Sequence, residues 1–170
     1  YSAYLETYGC GRGAKYNDDG ADGHQTHMTN TSNAPIEIIE LEHPLKVLKY
    51  GLIPDSCGAG EFRGGVGITR ELLATTDMVV TALGNRPHIH PYGLKGGKGG
   101  STDYCMIEMQ DGTVVSSSSN VKKGDKIVIR SSGGGGWGDP KQRDQSCLRN
   151  DIKDGLVSLE RAKSEYGFDG

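Results

Sequence analysis

Apolar positions fall along the chain in short runs, and the period within each run sets the element expected there. Ile36-Glu37-Ile38-Ile39-Glu40-Leu41 follows Pro35 and reads as a strand. Leu45-Lys46-Val47-Leu48-Lys49-Tyr50, with partial alternation and Pro44 and Pro54 at its flanks, reads as another. Ile68–Leu73 and Met78–Leu83 are apolar runs separated by Ala74-Thr75-Thr76-Asp77, and their length and β-branching predict a hairpin. Tyr104–Met109 and Thr113–Ser116 flank Asp111-Gly112, the strongest short hairpin signal in the chain. Ser116–Ser119 reads as a polar loop, Ile127–Arg130 as a further strand, and Tyr1–Tyr8 as a strand-like entry.

The pattern changes in the last thirty residues. Leu148, Ile152 and Leu156 lie four apart, and Leu159, Ala162 and Tyr166 continue an apolar face, so 144–154 and 158–166 are expected to be helical. Ser158 is a good N-cap, and Gly155 and Gly167 are plausible C-terminal stops. Asp139, after Gly136-Trp137-Gly138, is placed to cap a sharp turn into this segment. The expected fold is mainly β, an antiparallel unit with glycine-rich turns and two short C-terminal helices, α+β in all. It divides into a β-rich domain at 1–140 and a helical segment at 141–170.

Composition adds a tension to this picture. The 170 residues include 27 Gly and 6 Pro, while Leu, Ile, Val and Phe make up only about 19%. So few core-formers accompany disorder only when net charge is high, and here it is −3. The reading is one folded unit, rich in turns and short of core, that covers part of its surface with something else. The chain opens at Tyr1 without an initiator Met, which suggests a fragment, a processed product or the ordered part of a longer chain.

Several function classes drop out. No apolar stretch reaches the ~18–20 residues that span a bilayer, and no basic or aromatic–basic stripe marks a nucleic-acid face at a pI of about 5.9. Neither membrane nor nucleic acid is therefore an expected partner. Cys10, Cys57, Cys105 and Cys147 form no C-x-x-C pair, and free thiols in a cytoplasmic protein are expected. Gly9–Ala14 matches G-x-G-x-x-A, but no strand precedes it and no helix can start in Lys15–Gly20, so it lacks the context of a dinucleotide site. Gly93–Gly100 lacks the first Gly and the Ser/Thr of a P-loop. Asp22, His24 and His27, and the pair His88/His90, carry metal-ligand chemistry, but outside a helix their spacing enforces no geometry. No nucleophile elbow is present.

Read in order, the remaining motifs resemble one family. Tyr4–Thr7 with Gly9–Ala14, Asp22-Gly23, His27-Met28-Thr29-Asn30-Thr31 and Asn33-x-Pro35-x-Glu37 are similar to the C-terminal third of the hydantoinase B/oxoprolinase family. The likeness continues through Pro54-Asp55-Ser56-x-Gly58-Ala59-Gly60-x-x-Arg63-Gly64-Gly65-x-Gly67, Arg70-Glu71 and Lys123-Gly124-Asp125. It closes with Gly133–Gly136, Trp137-Gly138-Asp139-Pro140, Arg143, Asp151, Gly155-Leu156-Val157-Ser158 and Ala162, collinear over almost the whole chain. Cys57 departs from it, standing where the family pattern usually has Gly.

That resemblance implies a component of an ATP-dependent hydrolase that opens cyclic amides such as hydantoins, 5-oxoproline or lactams. Its alternatives are a subunit of an ATP-dependent acetone or acetophenone carboxylase, and a non-catalytic assembly module. It implies ATP and Mg2+ on a hydantoinase A-type partner subunit. It also implies a divalent metal (Zn, Mn or Fe) in an N-terminal part of the B-type subunit, which is several times longer than this chain. The rest of that longer chain and a small-molecule substrate are then further partners, and catalysis by this chain alone is not expected. Within the chain, His27, Thr29, Asn30 and Thr31 are the candidate catalytic residues: a titratable ring, hydroxyls and an amide on one short stretch can orient a carbonyl or phosphate. Arg63, among the Gly58–Gly67 turns, is the candidate substrate or anion contact.

Overall fold

The computed structural model describes residues 3–26, 30–83, 88–116 and 118–170. Where side chains alternate between a buried and an open face, strands form. β1 (Leu45–Leu52), β2 (Ile68–Ala74), β4 (Tyr104–Glu108), β5 (Val114–Ser116) and β7 (Lys126–Arg130) build a five-stranded sheet in the order β1-β2-β7-β4-β5. Every neighbouring pair is antiparallel. β3 (Met78–Thr81) and β6 (Ser118–Val121) form a separate two-stranded ladder. The Asp111-Gly112 hairpin forms as expected: Gly112 sits at φ +84°, a conformation open to glycine, and β4 pairs with β5 across it.

One face of the main sheet carries Leu45, Leu72, Ala74, Ile107 and Ile127, closed by Ile39 and Val121 into one hydrophobic core. Ile39 belongs to a helix, α1 (Ile36–Glu42), where the sequence pattern reads as a strand. The run supports either assignment, because 36/39 and 38/41 are also helical neighbours. Burial of Ile39 alone, with Glu37 and Glu40 in solvent, decides for one short helix against β1. The hairpin expected between 68–73 and 78–83 does not form either. Both segments are strands, but β2 already has β1 on one edge and β7 on the other, so the chain turns out of the sheet and β3 pairs with β6. Asp77 fixes that corner by accepting hydrogen bonds from Lys123 N and Lys122 Nζ. Ser118–Ser119, expected in a loop, are therefore strand residues. Residues 3–9 belong to no strand, and Cys10 makes only an isolated bridge to His24.

The glycines form the second structural layer. Segments 9–23, 56–67, 91–100 and 131–138 lie side by side and hydrogen-bond through their backbones. Gly11 N donates to Ser132 O (2.8 Å), Gly65 N to Arg12 O (2.8 Å), Gly134 N to Gly65 O (2.8 Å), Gly58 N to Gly134 O (2.7 Å) and Gly136 N to Lys98 O (2.9 Å). The chains approach too closely for side chains. A Cβ on Gly11 would stand 1.9 Å from Gly65 O, and one on Gly134 2.0 Å from Arg12 O.

Two C-terminal helices seal this layer. α2 (Gln145–Lys153) is capped by Asp144, which accepts from Ser146 N and Cys147 N, and ends before Gly155 at φ +71°. Ser158 caps α3 (Leu159–Arg161), which widens into a π-type turn at Ala162–Tyr166 and stops at Gly167, φ +69°. Asp139 caps a 3₁₀ turn at Pro140–Gln142. Leu148, Val157, Ala162, Tyr166 and Phe168 pack on Cys57, Ala59 and Val66, giving a second core below the glycine layer. Burial pushes the Cys57 thiol up to about 11. All four cysteines are free.

Candidate functional site

Segment 30–37, which includes the start of α1, runs beside Tyr50 of β1. Between it, Gly23–Gln25 and Tyr50 of β1 lies a cleft of about 550 Å³. Asn30 and Thr31 line it, both exposed. His27 and Thr29, the other two candidate catalytic residues, lie outside the described residues. The structure thus brings half of the expected site to a cleft wall.

What holds that wall is a polar network that sequence reasoning did not find. Thr31 Oγ1 donates to Gln25 Oε1 (2.8 Å), and Gln25, 8% exposed, donates from Nε2 to Thr7 O (2.9 Å). Asn33 Nδ2 donates to Thr7 O (2.8 Å) and to Glu6 Oε1 (3.0 Å), which also accepts from Ala34 N (2.8 Å). Glu6 Oε2 is bound by Arg70 Nη1 (2.5 Å) and by the Tyr4 hydroxyl (2.5 Å). Burial first, and the Glu6 carboxylate beside them, hold the Tyr4 and Tyr8 phenols well above their ordinary value, so both stay neutral donors. Tyr4–Thr7 and Arg70 both belong to the motifs that carry the family likeness; that they meet across 64 positions is a fact of tertiary structure.

Arg63 lies away from this cleft, 6% exposed, in a chain of ion pairs. Its Nη1 and Nη2 donate to both Asp22 oxygens (2.8 and 3.1 Å), and its Nε to Asp151 Oδ1 (2.9 Å). Arg143 mirrors it, donating from Nε and Nη2 to Asp151 Oδ2 (2.9 and 2.7 Å) and from Nη1 and Nη2 to Asp19 (2.9 and 2.7 Å). Burial alone would raise the Asp19 carboxyl, but the Arg143 hydrogen bonds and charge, with Arg63 N–H, bring it below the ordinary carboxylate value. Two arginines and three aspartates therefore bolt α2 to the glycine layer, and the donors of Arg63 are taken up by carboxylates and by Gly64 O.

Asp22, which its spacing offered as a metal ligand, is committed to Arg63 and to Val66 N. Among the described residues no group of three or more His, Cys, Asp or Glu side chains is arranged to hold a metal ion. The side chains described do not fit a resident metal. No helix among the described residues is long and apolar enough to cross a membrane.

Comparison with known proteins adds what the cleft cannot state. The model of the family described as hydantoinase B/oxoprolinase matches residues 1–140. An uncharacterised protein of Methanocaldococcus jannaschii is 38% identical over 96% of this chain and 30% of its own length. A Pseudomonas sp. protein named as the B-type member of a putative D-/L-hydantoinase is 32% identical over 98% of this chain and 29% of its own. A 5-oxoprolinase of Dictyostelium discoideum is 33% identical over 86% of this chain and 12% of its own. The chain thus spans less than a third of the length of these relatives. Among solved structures, the ATP-dependent caprolactamase of Pseudomonas jessenii superposes with a TM-score of 0.77 at 27% identity, over 95% of this chain and 30% of that one. A nucleotide-free acetone carboxylase gives 0.76 at 23% identity, over 93% and 26%, and shares the fold.

Proposed function

The chain belongs to the hydantoinase B/oxoprolinase family, and from that premise we propose that it works within an ATP-dependent hydrolase opening a cyclic amide. One observation carries the reading. Relatives at 32–33% identity across most of the chain are named as a hydantoinase component and a 5-oxoprolinase, while the carboxylase likeness is one of fold.

An amide carbonyl resists attack because the nitrogen lone pair is delocalised into it. Transfer of the terminal phosphoryl group of ATP to the carbonyl oxygen, with release of ADP, removes that donation. Water then adds to the carbon, and the ring C–N bond breaks with the nitrogen leaving as an amine. A second water releases the phosphate and leaves a carboxylate. In the proposed assembly ATP and Mg2+ sit on an A-type partner, and any divalent metal on residues outside this chain. Two relatives, of a hydantoinase and of a caprolactamase, are named as single subunits of their enzymes, which supports a partnered enzyme. This chain's residues orient rather than react: Asn30 and Thr31 supply an amide and a hydroxyl to the cleft, and His27 and Thr29 adjoin them in sequence. Their part is to hold a carbonyl or phosphate oxygen in place.

The test is turnover by the full-length enzyme assembled with its partner. ATP-dependent, bicarbonate-independent ring opening is expected. Asn30→Ala and Thr31→Val should each lower kcat/KM about tenfold or more, since each tenfold is about 1.4 kcal/mol of transition-state binding. Melting temperature should hold in Asn30→Ala and fall slightly in Thr31→Val, which also loses the bond to Gln25. Bicarbonate-dependent turnover of a ketone would overturn the hydrolase reading. Unchanged turnover in both variants would reduce the segment to an assembly module.

A further inference from the structure

Arg70, on β2, is the largest fully buried side chain among the described residues, 0% exposed, and does not line the cleft. A buried guanidinium is costly unless each of its surfaces is used. Its Nη1 holds Glu6, itself 7% exposed. Its guanidinium carbon lies over the Tyr50 ring, 4.3 Å from the centroid, and over the Tyr8 ring at 5.4 Å. Its Nε and Nη2 have no hydrogen-bond partner among the described residues. Among the described residues, one carboxylate and two rings are its main partners.

Those contacts lead to opposite walls of the cleft. Tyr50, opposite Arg70 in the β1–β2 register, is one wall. Glu6 leads to the other, since its second oxygen binds Asn33 Nδ2 and Ala34 N. The walls meet where the Tyr50 hydroxyl donates to Asn33 Oδ1 at 3.3 Å, a long bond in an exposed position that cannot by itself fix the span. We infer that Arg70 is a positioning residue for substrate binding: by stacking on Tyr50 and pairing with Glu6, it sets the width of the cleft that Asn30 and Thr31 line. This rests on the function proposed above.

Lysine keeps the charge and can still reach Glu6, but it offers no flat face to Tyr50. In the full-length enzyme with its partner, Arg70→Lys is expected to raise KM for the cyclic amide about tenfold and to leave kcat within about threefold. Hydrogen exchange at the Ala34 amide should quicken about tenfold, while the amides of α2 keep wild-type rates. Tyr50→Phe, which keeps the stack, should hold KM nearer wild type than Tyr50→Leu, which removes it. A merely structural arginine would lower the melting temperature and leave the KM of the folded enzyme unmoved. Wild-type KM with wild-type exchange at Ala34 in Arg70→Lys overturns the inference. Should that variant fail to assemble, Glu6→Gln and Tyr50→Leu decide it by the same two readouts, and wild-type values in both overturn it. Exchange does not depend on turnover, so an enzyme that opens no cyclic amide sinks the functional reading and leaves the positioning result standing on its own.

Discussion

At the scale of single residues, this protein turns on what a methyl group would meet. Gly51, within β1, has nothing within 4 Å of its missing Cβ and ordinary backbone angles. Gly51→Ala should be neutral or stabilising by about 0.5–1 kcal/mol, because a strand glycine loses more chain entropy than alanine. Gly155 has equal space but φ +71°, so Gly155→Ala should cost about 1–2 kcal/mol. Gly11 has ordinary φ and a backbone oxygen 1.9 Å from its would-be Cβ, with no flexible side chain to yield. Gly11→Ala should cost at least about 4 kcal/mol or prevent folding, as overlaps in a rigid interior do. Urea unfolding of the three variants gives the ranking, and a mild Gly11→Ala would show that the layer can open.

At the scale of elements, α2 is held by charge as much as by Leu148. Asp151 is the shared anion of Arg63 and Arg143, so Asp151→Ala leaves two buried guanidinium groups facing one another. A loss of about 3–5 kcal/mol is expected in denaturant unfolding. Asp19 gives the same device a pH signature. Its folded carboxyl titrates below the ordinary value of 3.8, so its stabilisation is complete above that value and is lost as pH falls through the folded one. Melting temperature should therefore drop below about pH 4, and Asp19→Asn should start lower at neutral pH and show a shallower acid limb. The elements themselves were partly legible. Caps at Asp139 and Ser158 and the Asp111-Gly112 turn are local chemistry, and the structure holds them where the sequence places them. The run 36–41 is different, because six residues satisfy both periods and only the burial of Ile39 separates them.

At the scale of the molecule, two small cores are separated by a layer in which glycines let backbone pack directly on backbone. Cys57 sits where that layer meets the lower core, 0% exposed, with its thiol at about 11. It should resist thiol reagents at neutral pH and become reactive only along the global unfolding transition, with the midpoint seen by circular dichroism. Cys10 and Cys147, both exposed, should label in the native state. Early labelling of Cys57 would mean that the layers part before the sheet unfolds.

The candidate site divides along the same line. Asn30 and Thr31, candidates by the chemistry of their side chains, line the cleft between Gly23 and Pro35. Gln25, Glu6 and Arg70 were not candidates, because their role consists of meeting one another over distances up to 64 residues. Arg63 stands between these cases, a motif residue whose guanidinium finds its carboxylates from Asp22 and Asp151 only on folding. Family, most strand-forming segments, helix caps and glycine positions are written in the order of residues, the family through motifs collinear along the chain and the rest through neighbours a few positions apart. Folding in three dimensions chose which strand edge was already taken, which isoleucine was buried and which charges met. Each of those outcomes depends on competition for the same space among parts of the chain far apart in sequence.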